Sequence, residues 1–168
     1  MTNLIKLTLQ SLFITFITVL LIINKVHADT KSPRDWVSLN SVLENINKGD
    51  KAQTSYVYAR CGGLMLGISL AFQARADSKS LEEQFKRYGE LFMMAYIARQ
   101  ELTAGFDGKD PEFPARSSGY TETVRTFVNS YTDVMQENWV QLGSFFVGDA
   151  FMESEITICT NIAKAVQG

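Results

Sequence analysis

Residues 50–76, DKAQTSYVYARCGGLMLGISLAFQARA, decide the fold of this chain. Val57, Cys61, Leu64, Ile68 and Ala71 recur at spacings of four, three, four and three, the stripe an α-helix presents on one face. Met65, Leu66, Leu70 and Phe72 make most of the remaining surface apolar too, which predicts a helix central among others. Asp50 caps its start, with Gln53 three residues on in capping-box spacing. Gly62, Gly63 and Gly67 lower the intrinsic helicity, and they let a neighbouring helix approach closely.

The flanking sequence repeats this period. Upstream, Ser32-Pro33 reads as an N-cap followed by proline in the first turn, opening a short helix with Trp36, Leu39, Leu43 and Ile46 that Gly49 ends. Downstream, Ser80 and Glu83 form a second capping box. Leu81, Phe85, Tyr88, Phe92, Ala95, Arg99 and Leu102 then alternate by four and three up to a left-handed stop at Gly105. From Phe106 to Ser118 the period lapses and two of the three prolines occur, so a loop joins the two halves. A fourth helix, starting at Ser118 or Tyr120, carries Tyr120, Val124, Phe127, Tyr131, Val134 and Asn138, with Trp139 and Leu142 alongside. Residues 143–148 are a break, and Asp149 caps a last helix through Met152, Ile156, Cys159, Ala163 and Val166. The expected fold is all-α: four long antiparallel helices in an up-and-down bundle plus a short N-terminal helix. No internal repeat or low-complexity tract interrupts it.

The compartment follows from the other end of the chain. Leu4 to Ile23 is a mostly apolar run with Lys6 near its start and Lys25 after it, followed by the small-residue step Val26-His27-Ala28. That is the pattern of a secretory signal peptide over residues 1–28, leaving 29–168 as a single helical domain. The alternative is an uncleaved N-terminal membrane anchor. Either way the domain is exported, periplasmic or secreted, as in the small helical proteins of bacterial envelopes. Cys61 and Cys159 are the only cysteines and both fall on helical seams, so in an oxidising compartment they read as one disulfide tying the second helix to the last.

Composition excludes more than it assigns. Residues 29–168 keep 14 of the 16 Lys and Arg and all 18 Asp and Glu, a net charge of −4. No basic stripe exists to neutralise phosphates, so nucleic acid is not an expected partner. A membrane is expected only if residues 1–28 stay attached. The single histidine is His27, inside the leader. A domain without histidine builds no Ser-His-Asp triad, no Cys-His pair and no histidine ligation of zinc or haem. The acidic loop Asp107–Glu112 fails the spacing of a calcium loop, because Pro114 falls where the bidentate glutamate belongs. Neither a metal nor a cofactor is expected.

Two groups of residues are candidates for binding. Arg60 stands on the most apolar helix and Arg99 on a seam, and a buried guanidinium needs a carboxylate or a ligand anion. With Tyr56, Tyr131 and Asn138 as further donors they outline an anion site between helices. The structural alternative is an internal salt bridge to Asp133, Glu137 or Asp149, or a side chain that snorkels to the surface. The second group is a partner surface of Phe145 and Phe146 in the break with Asp107, Asp110 and Glu112 in the acidic loop. The carboxylates Glu82, Glu83, Glu153 and Glu155 read as charge in first helical turns.

The expected function is therefore non-enzymatic: an exported bundle that binds another envelope or extracellular protein, as an inhibitor, an immunity-like factor or an accessory subunit. The alternatives are a periplasmic carrier of small molecules or lipids, with Arg60 and Arg99 holding an anion in a cavity inside the bundle, and a histidine-free envelope polysaccharide hydrolase.

Overall fold

A computed structural model describes residues 32–47, 52–73, 75–105 and 112–167. They form helices α1 (Leu39–Asn47), α2 (Ala52–Gln73), α3 (Lys79–Ala104), α4 (Phe113–Leu142) and α5 (Ala150–Gln167), with 3-10 turns at Pro33–Asp35 and Ala76–Ser78 and no strand among the described residues. α2 to α5 make an up-and-down four-helix bundle, and α1 lies against α2 and α5. The expected leader, residues 1–28, lies outside the described residues, as do Asp50, Asp107 and Asp110.

α2 is the central helix, as its apolar circumference dictates. It packs against all four other helices, and from Ala59 to Ser69 every residue except Leu66 is buried. Its glycines are the contact surface. A Cβ on Gly62 would lie 3.4 Å from Phe92 Cβ on α3. One on Gly63 would overlap Phe127 Cβ on α4 and sit 2.9 Å from the Phe127 carbonyl carbon. The helicity lost at these positions is the condition for backbones to meet this closely. The Cys61–Cys159 disulfide joins α2 to α5 with Cα atoms 5.4 Å apart, closing a loop of 98 residues. In the chain-entropy account such a loop contributes about 4–5 kcal/mol.

Several helix ends behave as their residues require. Gly105 and Gly143 take left-handed φ of 77° and 68° and stop α3 and α4. Asp149 Oδ1 accepts from the backbone N–H groups of Phe151 and Met152 at 3.0 and 3.2 Å, capping α5, while Glu153 reaches back to the Gly148 N–H at 2.9 Å.

Other ends differ from expectation. The first helix begins at Leu39, capped by Ser38, because Trp36 to Ser38 are drawn into an irregular strap. α3 begins at Lys79 with Ser78 at its N-cap and no side-chain cap bond. The tight reversal supplies backbone bonds (Arg75 N–H to Phe72 O, Ser78 N–H to Arg75 O), which leaves Ser80 inside the first turn and not capping it. α4 begins at Phe113, earlier than Ser118, with Pro114 in the first turn, where its missing N–H is harmless. The α3 seam also rotates. A three-four alternation drifts about 20° per heptad on a straight helix, so the far half of α3 buries Tyr96 and Glu101 while Leu102 turns out to 72% exposure.

Candidate functional site

The best-built polar site is centred on Arg60, the largest fully buried side chain, at 0% exposure. Its Nε donates to the Tyr131 hydroxyl at 2.9 Å, and its Nη1 to the Val37 carbonyl at 2.6 Å and the Tyr56 hydroxyl at 3.0 Å. Nη2 stands 2.8 Å from Glu155 Oε2. Its N–H bonds point off that line, so the contact is one of charge and not of hydrogen bonding. Tyr131 in turn donates to the same Glu155 oxygen at 2.6 Å, and Glu155 Oε1 accepts from the Leu39 N–H at 3.4 Å. Trp36 lies beneath the guanidinium, 5.0 Å from ring centroid to Cζ, and meets Phe127 and Tyr131 edge-on.

Electrostatics keep this cluster charged where charge is needed and neutral where it is not. Burial works against the cation of Arg60, but Tyr131 and Glu155 outweigh it and raise the Arg60 pKa. Burial, then the Glu155 charge, push Tyr131 well above the usual phenol range, so it stays a neutral donor. Each polar group in the cluster contacts another group of the protein. What it grips is backbone: the carbonyl of Val37 and the amide of Leu39, two residues apart on the strap.

A second cluster fastens the strap's other end. Arg34 donates to Glu137 at 2.8 Å, Asn138 Oδ1 at 2.8 Å and Asp149 Oδ2 at 2.9 Å. Asn138 Nδ2 donates to Asp149 Oδ2 at 2.8 Å and the Phe145 carbonyl at 3.0 Å. Burial raises the Asp149 pKa, but bonds from Asn138, the Met152 amide and Arg34 reverse this and leave it below the usual range. The buried Asn138 thus serves the α4–α5 turn and not the Arg60 cluster.

The sequence candidates are therefore divided. Arg60, Tyr56 and Tyr131 come together. Arg99 is partly exposed on α3 and is not among the groups that contact Arg60. Phe145 and Phe146 turn inward, half-buried, and pack against Phe72 with ring centroids 6.5 and 6.2 Å apart. The apolar groups left outside at that end are Trp139, Val140, Leu142 and Val147. Glu112 lies 3.9 Å from Arg116. Arg116 also forks onto the buried Glu101, which accepts from Tyr120 as well and whose pKa is lowered chiefly by the Arg116 bond.

Glu155 is the member of this cluster that sequence reasoning missed. Its signal was present. It falls three residues after Met152 and four before Cys159, on the α5 seam, and the disulfide sets it beside the neighbour of Cys61. The Arg60 partner is therefore Glu155, and not Asp133, Glu137 or Asp149. Among the described residues no group of three or more His, Cys, Asp or Glu is placed to hold a metal ion. The chain matches no family model, no curated protein and no solved structure.

Proposed function

We propose that this is an exported, non-enzymatic protein that acts by binding another envelope or extracellular protein through one end of its bundle. The observation that carries this reading is Trp139, 48% exposed at the end of α4. Its ring is braced 5.0 Å from Phe145, and Arg75 lies 6.0 Å over its face. Leu142 and Val147 stand exposed beside it in sequence, before and after the α4–α5 turn. Tryptophan and arginine are the side chains most often at the energetic centre of protein interfaces, and a braced ring loses little freedom on binding. The partner this surface suits has an apolar pocket for Trp139 and an acidic rim for Arg75. Export is supported by the leader pattern of residues 1–28 and by the disulfide, a bond that persists in oxidising compartments. Among the described residues no helix is long and apolar enough to cross a membrane.

Photo-crosslinking in an exporting host tests the reading. A photoreactive residue at Val147 is expected to give one discrete adduct. The same residue at the exposed Thr157 on α5 gives none, and Trp139→Ala removes the adduct without changing the melting temperature. Equal adducts at both positions, or none at Val147, would overturn it.

A further inference from the structure

We infer that the Cys61–Cys159 disulfide is a redox latch on the strap. Oxidised, it holds residues 33–39 closed over Arg60. Reduced, it lets α5 and the strap open together while α2, α3 and α4 stay packed. The latch is independent of the partner surface. The strap's polar fastenings run to α5, or to side chains that α5 completes. The Leu39 N–H donates to Glu155 at 3.4 Å. Arg34 donates to Asp149, the α5 cap, and to Glu137 and Asn138 on α4. The Val37 carbonyl accepts from Arg60, whose buried charge is balanced by Glu155. When α5 leaves, Glu155 leaves with it, and a buried cation without a counter-charge is strongly unfavourable. It is relieved when Trp36 and Val37 lift and water reaches the guanidinium. Release of α5 therefore carries the strap with it.

The disulfide forbids that release. Cys61 adjoins Arg60 and Cys159 lies one turn after Glu155, so the bond pins together the two helices that carry the ion pair. Without it α5 is lightly anchored. Its buried seam is Met152, Glu155, Cys159 and Ala163, of which Met152 alone is large and apolar. Phe151, Ile156, Ile158 and Ile162 are partly buried. The contacts among α2, α3 and α4 need no part of α5: Gly62 against Phe92, Gly63 against Phe127, and the fork of Arg116 onto Glu101. Opening is thus a cooperative event short of global unfolding.

Setting the latch joins two thiols in one S–S bond. Two electrons and two protons pass to a disulfide oxidant, which leaves as two thiols. A dithiol reductant reverses the exchange. Both cysteines are fully buried, so the closed form yields its sulfurs to a reductant only by opening. Strap and disulfide then protect each other, since a coupling free energy acts in both directions.

Hydrogen exchange of the oxidised domain and of Cys61→Ala/Cys159→Ala tests the latch. In the oxidised domain the Leu39 amide and the α5 amides are expected within about tenfold of the α2 amides in protection. In the variant both are expected at least about a hundredfold below α2, and alike. Reduction of the oxidised parent by dithiothreitol gives the reciprocal reading. Trp36→Ala, which loosens the strap, is expected to speed reduction at least about tenfold. Val124→Ala, in the core shared by α2, α3 and α4, is expected to leave the rate within about twofold. Protection lost uniformly across all helices, α5 loosened with Leu39 still protected, or a variant that does not fold without the bond would overturn the latch. So would equal reduction rates in Trp36→Ala and the parent.

Discussion

The two sides of α2 are finished differently. On the side of Arg60 the chain returns its own segment 33–39 and fastens it with a buried ion pair, two tyrosines and Trp36. On the side of Leu66 and Leu70 nothing from the described chain closes the gap between α3 and α4, and a groove stays open. A polar cluster can thus be the most elaborate feature of a fold and still be internal, while a plainer groove is the one left open. A guanidinium hidden from water needs acceptors and a counter-charge close by, and here Tyr131, Tyr56, the Val37 carbonyl and Glu155, all from the protein itself, surround it.

This contrast can be broken from the closed side first. Arg60→Met leaves Glu155 buried and uncompensated and should cost about 3–5 kcal/mol of stability, read by urea unfolding. A loss under about 1 kcal/mol would mean that the pair is solvated and the strap loose. Next in size is Gly63→Ala, whose new methyl meets the Phe127 backbone. It should cost about 1–3 kcal/mol by overpacking. Gly67→Ala meets instead the flexible end of Met135 at 3.3 Å, so a gain of up to about 1 kcal/mol in helix propensity can offset the contact. A Gly67→Ala loss as large as that of Gly63→Ala would contradict the tighter α2–α4 approach at Gly63.

Acid should loosen the strap's Arg34 end. Asp149 and Glu101 have pKa values in the fold below their ordinary ones. Their contribution is therefore complete above the unfolded values of about 4 and is lost as pH falls through the folded ones. Melting temperature measured from pH 7 downward should stay level until about pH 4 and then fall, and Asp149→Asn should remove part of that fall. An unchanged slope in the variant would show Asp149 to be uncoupled. The smallest effect belongs to the open side: Leu70→Gln should change stability by no more than about 0.5 kcal/mol, since its side chain already meets water.

Much of this architecture could be read from residue spacing, and its failures have physical causes. The α2 seam, the glycine approach, the disulfide, the stops at Gly105 and Gly143 and the N-cap at Asp149 all follow from local period and local chemistry. The start of α4 did not, because Pro114 reads as a breaker unless the Arg116–Glu101 pairing across the loop is known. Arg99 was placed on a seam by a strict three-four count that a straight helix does not keep over 26 residues. Arg60, Tyr56 and Tyr131 were legible as a set, yet their partner was not. Glu155 sits in the first two turns of α5, where an acid is expected for helical reasons alone. Arg34 and the strap were invisible, since an irregular segment has no period to detect. The groove between α3 and α4 escaped for the opposite reason: Leu66, Leu70 and Val124 in its lining read as ordinary core, and Glu82 as first-turn charge.

The most direct measurement is a double-mutant cycle between Arg60 and Glu155, using Arg60→Met, Glu155→Leu and the pair, by urea unfolding of the oxidised domain. Commitment of Arg60 to the fold predicts a double mutant well short of the sum of the singles, with a coupling of about 2–3 kcal/mol. Additivity within about 0.5 kcal/mol would contradict it and leave the guanidinium free for a ligand.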